Sequence, residues 1–183
     1  VTGDVTVISG PTAVGKGTVV KALRARHPEV WVSVSATTRP PRPGEVDGEH
    51  YLFVSARGFD DLVASDGLLE WALVHGVDRY GTPAAPVQAA VAADRRVILE
   101  IDLQGARQVR EHLPEARLVF IAPPSQETLV KRLEGRGTET PEQMARRLRT
   151  AEGELAAAAE FDHVIVNDDL GSAVDELVEL LGL

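Results

Sequence analysis

Apolar residues gather along this chain in short runs separated by polar, helix-length stretches. Val5 to Ser9 is one such run. It ends at Gly10, and after a glycine-rich stretch a helix-compatible segment extends from about Gly17 to Arg26, which predicts strand, loop and helix. Val97 to Ile101, Leu118 to Ile121 and Val164 to Val166 have the almost wholly apolar character of buried parallel strands, with Leu103 to His112 and Ser125 to Glu134 as helix-length segments between them. The alternation predicts an α/β domain with a mainly parallel sheet flanked by helices. Two stretches depart from it. Ser33 to Val74 has Pro-rich turns and short β-like pieces, and Gly135 to Glu160 is dominated by arginine, glutamate and alanine, so both are expected as insertions on the sheet. The Ala156 to Ala159 run suits a helix. No internal repeat and no Gly/Ser linker interrupts the chain.

With 183 residues, 44% hydrophobic and 26% charged, one compact soluble domain is the default. A net charge of −9 argues against nucleic-acid binding, which calls for a basic surface. The longest apolar runs fall far short of the roughly 20 residues of a membrane span. No secretion-signal pattern opens the chain, so the cytoplasm is the expected location, and a start at Val1 suggests that a few native residues precede it. Zero cysteines exclude disulfides and thiol catalysis, and the five histidines form no His-Glu-x-x-His pattern, so a structural metal is not expected. Only three of the 19 basic side chains are lysines, at positions 16, 21 and 131, which makes any lysine in a special loop conspicuous.

Lys16 is in such a loop: Gly10-Pro11-Thr12-Ala13-Val14-Gly15-Lys16-Gly17-Thr18, between the first strand and the first helix. Glycines there allow tight curvature, so that backbone N–H groups and the helix N-terminus point at phosphate oxygens while Lys16 adds a positive charge. The competing reading is a glycine-rich turn with a chance lysine. The residue after the lysine is usually a serine or threonine that helps hold Mg²⁺, whereas here Gly17 precedes Thr18, a variant that resembles the adenylate kinase loop. A second anion site is plausible in Ser33-Val34-Ser35-Ala36-Thr37-Thr38-Arg39-Pro40-Pro41-Arg42-Pro43-Gly44-Glu45, followed by Gly48-Glu49-His50-Tyr51. Prolines stiffen this segment, and each guanidinium can grip a phosphate through paired hydrogen bonds. A solvated turn is the alternative.

Over nearly the whole chain these motifs resemble the guanylate kinase family. The Ser-x-Ser-x-Thr-Thr-Arg segment, Glu70-Trp71, Tyr80 to Thr82, Ile101 to Gly105, Phe120 to Pro124, Arg132 to Glu139 and Val166 to Asp169 follow one another in the family's order. The resemblance implies a P-loop NTPase core over about 1–32, 83–134 and 161–183, a GMP-binding insertion of mixed β structure over about 33–82, and a helical lid over about 135–160. It implies transfer of the γ-phosphoryl group of ATP to GMP, and also to dGMP, with Mg²⁺ bound alongside ATP. By resemblance Ser35, Arg39, Arg42, Tyr51 and Tyr80 would hold the GMP phosphate, and Glu70, Thr82 and Asp102 would read guanine. Guanine suits carboxylates because it presents N–H donors at N1 and N2, where adenine presents an acceptor at N1. Taken singly, Glu70 could be a solvated acid near a strand end and Asp102 a helix cap.

Lys16 and the arginines Arg39, Arg132, Arg136 and Arg147 match the family positions that stabilise charge on the moving phosphoryl group. Arg146-Arg147 beside acids also describes an exposed, ion-paired helix. Asn167 and Asp168 match a segment beside the adenine of ATP. Glu100 and Asp102 compete as the acid nearest the metal, so no metal ligand is assigned. Catalytically silent guanylate-kinase-like modules that bind peptides are the main alternative, but their phosphate loops are typically degraded. An adenylate-type kinase would account for Gly17-Thr18 but not for Glu70 and the Arg39/Arg42 loop.

Overall fold

The computed structural model describes residues 5–74, 76–134 and 141–183; the side chains of Glu134, Pro141, Gln143, Met144, Arg146 and Arg147 lie outside the described part. In chain order the elements are β1 (Val5–Ser9), α1 (Lys16–Arg26), β2 (Trp31–Val32), β3 (Ala36–Thr37), β4 (Leu52–Phe53), α2 (Ala56–Ala64), β5 (Leu68–Val74) and β6 (Asp78–Pro83). There follow α3 (Ala84–Ala92), β7 (Val97–Glu100), α4 (Leu103–His112), β8 (Arg117–Ala122), α5 (Gln126–Glu134), α6 (Pro141–Ala156), a 3-10 turn (Ala157–Glu160), β9 (His163–Val166) and α7 (Leu170–Leu181).

Five strands form a sheet in the order β2-β7-β1-β8-β9, and β2 with β7 and β8 with β9 run parallel. The other four make a mixed sheet in the order β4-β3-β6-β5, with β3 parallel to β4 and antiparallel to β6. The expected α/β class and every strand read from an apolar run are present. The Ser33 to Val74 stretch holds more order than its turns imply. Within it α2 is started by Ser55, whose hydroxyl accepts from the Gly58 N–H, and is pinned by the buried Phe59.

The Cα packing divides the chain into two compact units, Val1–Thr6 with Val30–Ala116, and Val7–Glu29 with Arg117–Leu183. In the second unit Val7, Ile8, Val119, Phe120 and Ile121 are fully buried, as strands covered on both faces require. Helix α7 buries Ala173, Val174, Leu177 and Leu181 at helical spacing, packs on α1, starts at the Asp169 cap and stops at Gly182 in the left-handed conformation. A smaller cluster of Leu129, Leu133 and Ala151 joins α5 to α6 and takes in Ala13 from the loop after β1. In the first unit β5 is an edge strand of the mixed sheet, and α4 packs along it.

Candidate active site

In the unit formed by Val7–Glu29 and Arg117–Leu183, β1 delivers the chain into the Gly10–Gly15 loop, and α1 begins at Lys16. Gly10 has φ 147, and any β-carbon there would stand on the carbonyl of Ile121, so the turn out of the strand admits glycine alone. Ala13 holds the left-handed region at φ 67 without being glycine. A conformation of that kind costs about 1–2 kcal/mol, offset here by packing of the methyl group against the Leu129/Leu133 cluster. The Lys16 ammonium curls back over the loop and donates to the carbonyls of Gly10 at 2.5 Å and Pro11 at 3.2 Å. That bracing holds the loop curved, with a cation beside the N-terminal amides of α1.

Three further side chains fix the same loop. Asn167 is buried, and its Nδ2 donates to the Val14 carbonyl at 2.8 Å. Arg132, on α5, donates to that carbonyl at 3.2 Å and to the Asn167 carbonyl at 3.1 Å. From α6, the Glu154 carboxylate accepts from the Thr12 N–H at 3.3 Å. Arg132 and Asn167, expected as a charge clamp and an adenine contact, are therefore also struts of the phosphate loop. Gly17, Thr18 and Asp168 are exposed. Arg136 lies outside the described residues, as does the side chain of Arg147.

The unit formed by Val1–Thr6 and Val30–Ala116 gathers Arg39, Tyr51, Glu70, Tyr80, Thr82 and Asp102. Arg39, just after β3, is 8% exposed, and its charge is accounted for by a paired bond to Glu45, with both contacts at 2.9 Å. Its Nε donates to the Tyr80 hydroxyl at 3.0 Å, and its guanidinium lies over the rings of Tyr51 and Phe53 at 5.2 and 5.8 Å. The Glu45 bond, together with the weaker effect of Tyr80, drives the Arg39 pKa further up. Glu45 is correspondingly held down to about 2, first by Arg39 and then by the Arg42 N–H, which donates to it at 2.7 Å. Burial raises the Tyr51 hydroxyl above its ordinary pKa. The Arg42 side chain is exposed and Ser35 half-buried.

Glu70, on β5, is 5% exposed, and its Oε1 accepts from the Thr82 hydroxyl at 2.6 Å. Burial pushes its pKa up to about 7; the Thr82 bond opposes the shift and the nearby charge of Asp102 adds to it. Asp102 caps α4, accepting from the Gly105 N–H at 2.8 Å. A β-carbon on Gly105 would fall on the Glu70 carboxylate, which explains the glycine at this helical position. The helix-cap reading of Asp102 thus holds, and it leaves a carboxylate at the N-terminus of α4 beside Glu70.

Sequence reasoning assigned no role to Glu45, although a carboxylate three residues past Arg42 in a proline-stiffened loop could have marked it as an arginine partner. Glu154 and Gln108 carried no signal, because each acts on backbone remote in sequence.

A loop of this form between strand and helix, with its lysine and its braced amides, defines a P-loop protein that handles nucleotide phosphates. A family profile described as Guanylate kinase matches residues 2–182. Guanylate kinase of Cutibacterium acnes is 64% identical, aligned over 100% of this chain and 92% of its own, and that of Nocardia farcinica is 60% identical over 97% and 93%. The crystal structure of guanylate kinase from Anaplasma phagocytophilum superposes with a TM-score of 0.81 at 31% identity, covering 98% of this chain and 85% of that one. The chain belongs to the guanylate kinase family, and its activity is that of a guanylate kinase.

Proposed function

We propose that the chain moves the γ-phosphoryl group of ATP onto GMP, releasing GDP and ADP, with ATP on the Gly10–Thr18 loop and GMP in the Arg39/Glu70 cluster. The observation that carries this reading is Glu70. A buried carboxyl beside the Thr82 hydroxyl and the Asp102 carboxylate is an acceptor-rich pocket lining, suited to the N1 and N2 donors of guanine and ill suited to the N1 acceptor of adenine. Arg39, with Ser35, Arg42, Tyr51 and Tyr80, would take the GMP phosphate, which has to share Arg39 with Glu45.

Lys16, Arg39, Arg132, Arg136 and Arg147 would stabilise the charge that spreads over the transferring group, so the chain's part is positioning and electrostatics rather than covalent chemistry. Asn167 and Asp168 would line the adenine end. In this reading 33–82 is the GMP-binding insertion and 135–160 the lid on a core of about 1–32, 83–134 and 161–183.

Among the described residues no three acidic or histidine side chains gather to hold a metal, and Gly17 supplies no hydroxyl. That donor set fits magnesium that arrives with ATP, held mainly by phosphate oxygens and its own waters. When bound, the ion would neutralise charge on the phosphates. No helix among the described residues is long and apolar enough to cross a membrane. The net charge of −9 supports small-molecule substrates over nucleic acid, and a cytoplasmic setting suits ATP and GMP.

The test is ADP release measured with GMP, dGMP, AMP, UMP and CMP as acceptors. Turnover should be confined to the guanine nucleotides, and comparable turnover with AMP would overturn the reading of Glu70 and Asp102.

A further inference from the structure

We propose that Gln108 is a positioning residue for guanine selection, holding the β5 backbone on which Glu70 is mounted. This rests on the reading of Glu70 as the guanine acceptor. β5 is an edge strand, so the backbone groups on its outer side have no neighbouring strand to bond with. The Gln108 amide takes the place of that strand: its Oε1 accepts from the Trp71 N–H at 3.1 Å, and its Nε2 donates to the Trp71 carbonyl at 2.7 Å. Two residues back along the strand, the His112 ring meets the Leu69 carbonyl at 3.2 Å. Glu70 is thus flanked on both sides by backbone tied to α4.

The same helix shapes the pocket around the Glu70 carboxyl. Asp102 caps its start and Gly105 leaves the space the carboxyl occupies. Asp102, Gly105, Gln108 and His112 are spaced three, three and four apart, so they share one face of α4. Sliding or tilting of β5 against that face by even a fraction of an ångström would move the Glu70 oxygens relative to Asp102 and Thr82. Gln108, being bidentate, holds both backbone polar groups of Trp71, so sliding or tilting strains two hydrogen bonds at once.

A residue that acts through Glu70 should affect guanine more than bases with fewer donors. Hypoxanthine has the N1–H but lacks the 2-amino group, so the ratio of kcat/KM for GMP to that for IMP reports how well the acceptors are aimed. Gln108→Met keeps the length and removes both bonds. It should raise KM for GMP about fivefold to tenfold, leave KM for ATP within twofold, and lower the GMP/IMP ratio at least threefold, while the Trp71 amide exchanges with solvent faster. If Gln108→Met lowers the melting temperature by more than a few degrees, Gln108→Glu, which keeps the accepted bond and sets a carboxylate oxygen against the Trp71 carbonyl, carries the same test.

Glu70→Gln and the double variant complete a cycle. If Gln108 works by aiming Glu70, removing Gln108 from the Glu70→Gln background should change the GMP/IMP ratio little. Equal loss for GMP and IMP, or additive losses in the double variant, would overturn the proposal while leaving Glu70 as the guanine acceptor. A GMP/IMP ratio unchanged in Glu70→Gln itself would instead overturn the reading of Glu70, and the role of Gln108 with it.

Discussion

Around the Gly10–Thr18 loop the groups proposed to meet phosphate are contiguous in sequence and mostly backbone. Lys16 bends over the Gly10 and Pro11 carbonyls, and Asn167, Arg132 and Glu154 brace the loop from outside. Around Glu70 and Arg39 the polar groups are side chains drawn from β5, β6, the start of α4 and the loops after β3. They are largely buried and already bonded to one another. A phosphate can be met by a curved run of amides whatever the side chains, so that half tolerates variation everywhere except where curvature and charge demand a residue. A base must be told from other bases by placed donors and acceptors, and desolvating those groups is what displaces the Glu70 pKa.

The largest effect that distinguishes the two regions is expected at Lys16. Lys16→Ala should remain folded, as a thermal melt would show, yet lower kcat at least about a hundredfold because charge is lost at the transferring phosphates. Near-normal turnover in a folded Lys16→Ala protein would remove the phosphate loop from the chemistry and collapse the contrast between the two regions.

The same contrast decides how much was legible in the sequence. The strand, loop and helix at Val5 to Arg26, the later apolar strands and α4 could be read because local pattern dictates them, and Gly10-x-x-x-x-Gly15-Lys16 could be read because backbone curvature needs consecutive residues. Helix α2 was hidden by its setting among Pro-rich turns and by a cap, Ser55, that looks like any loop serine. Arg39 stood out in the sequence as a candidate for an anion site, but its pairing with Glu45 did not, because that follows from how the loop folds back on itself. Glu70 was singled out by resemblance as a candidate acceptor for guanine. Its burial, and hence its raised pKa, depends on Gly105 and Thr82 arriving from other elements, and no local pattern encodes that.

A smaller but more specific effect is expected from Glu70→Gln. The amide keeps the Oε1 acceptor for Thr82 and turns the other position into an N–H donor that faces guanine's donors. Loss of a charge-assisted hydrogen bond costs about 1.5–3 kcal/mol, so kcat/KM for GMP should fall roughly tenfold to a hundredfold while KM for ATP stays constant. If both substrates weakened equally, base recognition and phosphate recognition would not be separable in the way the two clusters indicate.

The finest distinction between the regions is their response to pH. Glu70, with a pKa of about 7, changes state within the range where the enzyme is assayed. Guanine's donors require the ionised form, so GMP binding should expel a proton at pH 6, and KM for GMP should be about tenfold higher at pH 6 than at pH 8, with KM for ATP far less affected. The GMP phosphate also titrates, near pH 6, but Glu70→Gln retains that contribution and loses the other. The difference between the two profiles therefore isolates the carboxyl. Stability must move in the opposite sense. A carboxyl whose pKa rises from 4.5 unfolded to about 7 folded binds its proton more tightly in the native state. Its stabilising effect is complete below pH 4.5 and is lost as pH climbs to 7, a change on the order of 3 kcal/mol. Thermal melts should accordingly show Glu70→Gln gaining on the wild type between pH 5 and pH 8, just where wild-type GMP affinity improves. A wild-type KM for GMP that is flat across this range, or that tracks Glu70→Gln, would mean that the buried carboxyl is ionised before GMP arrives and that its burial does not tune recognition.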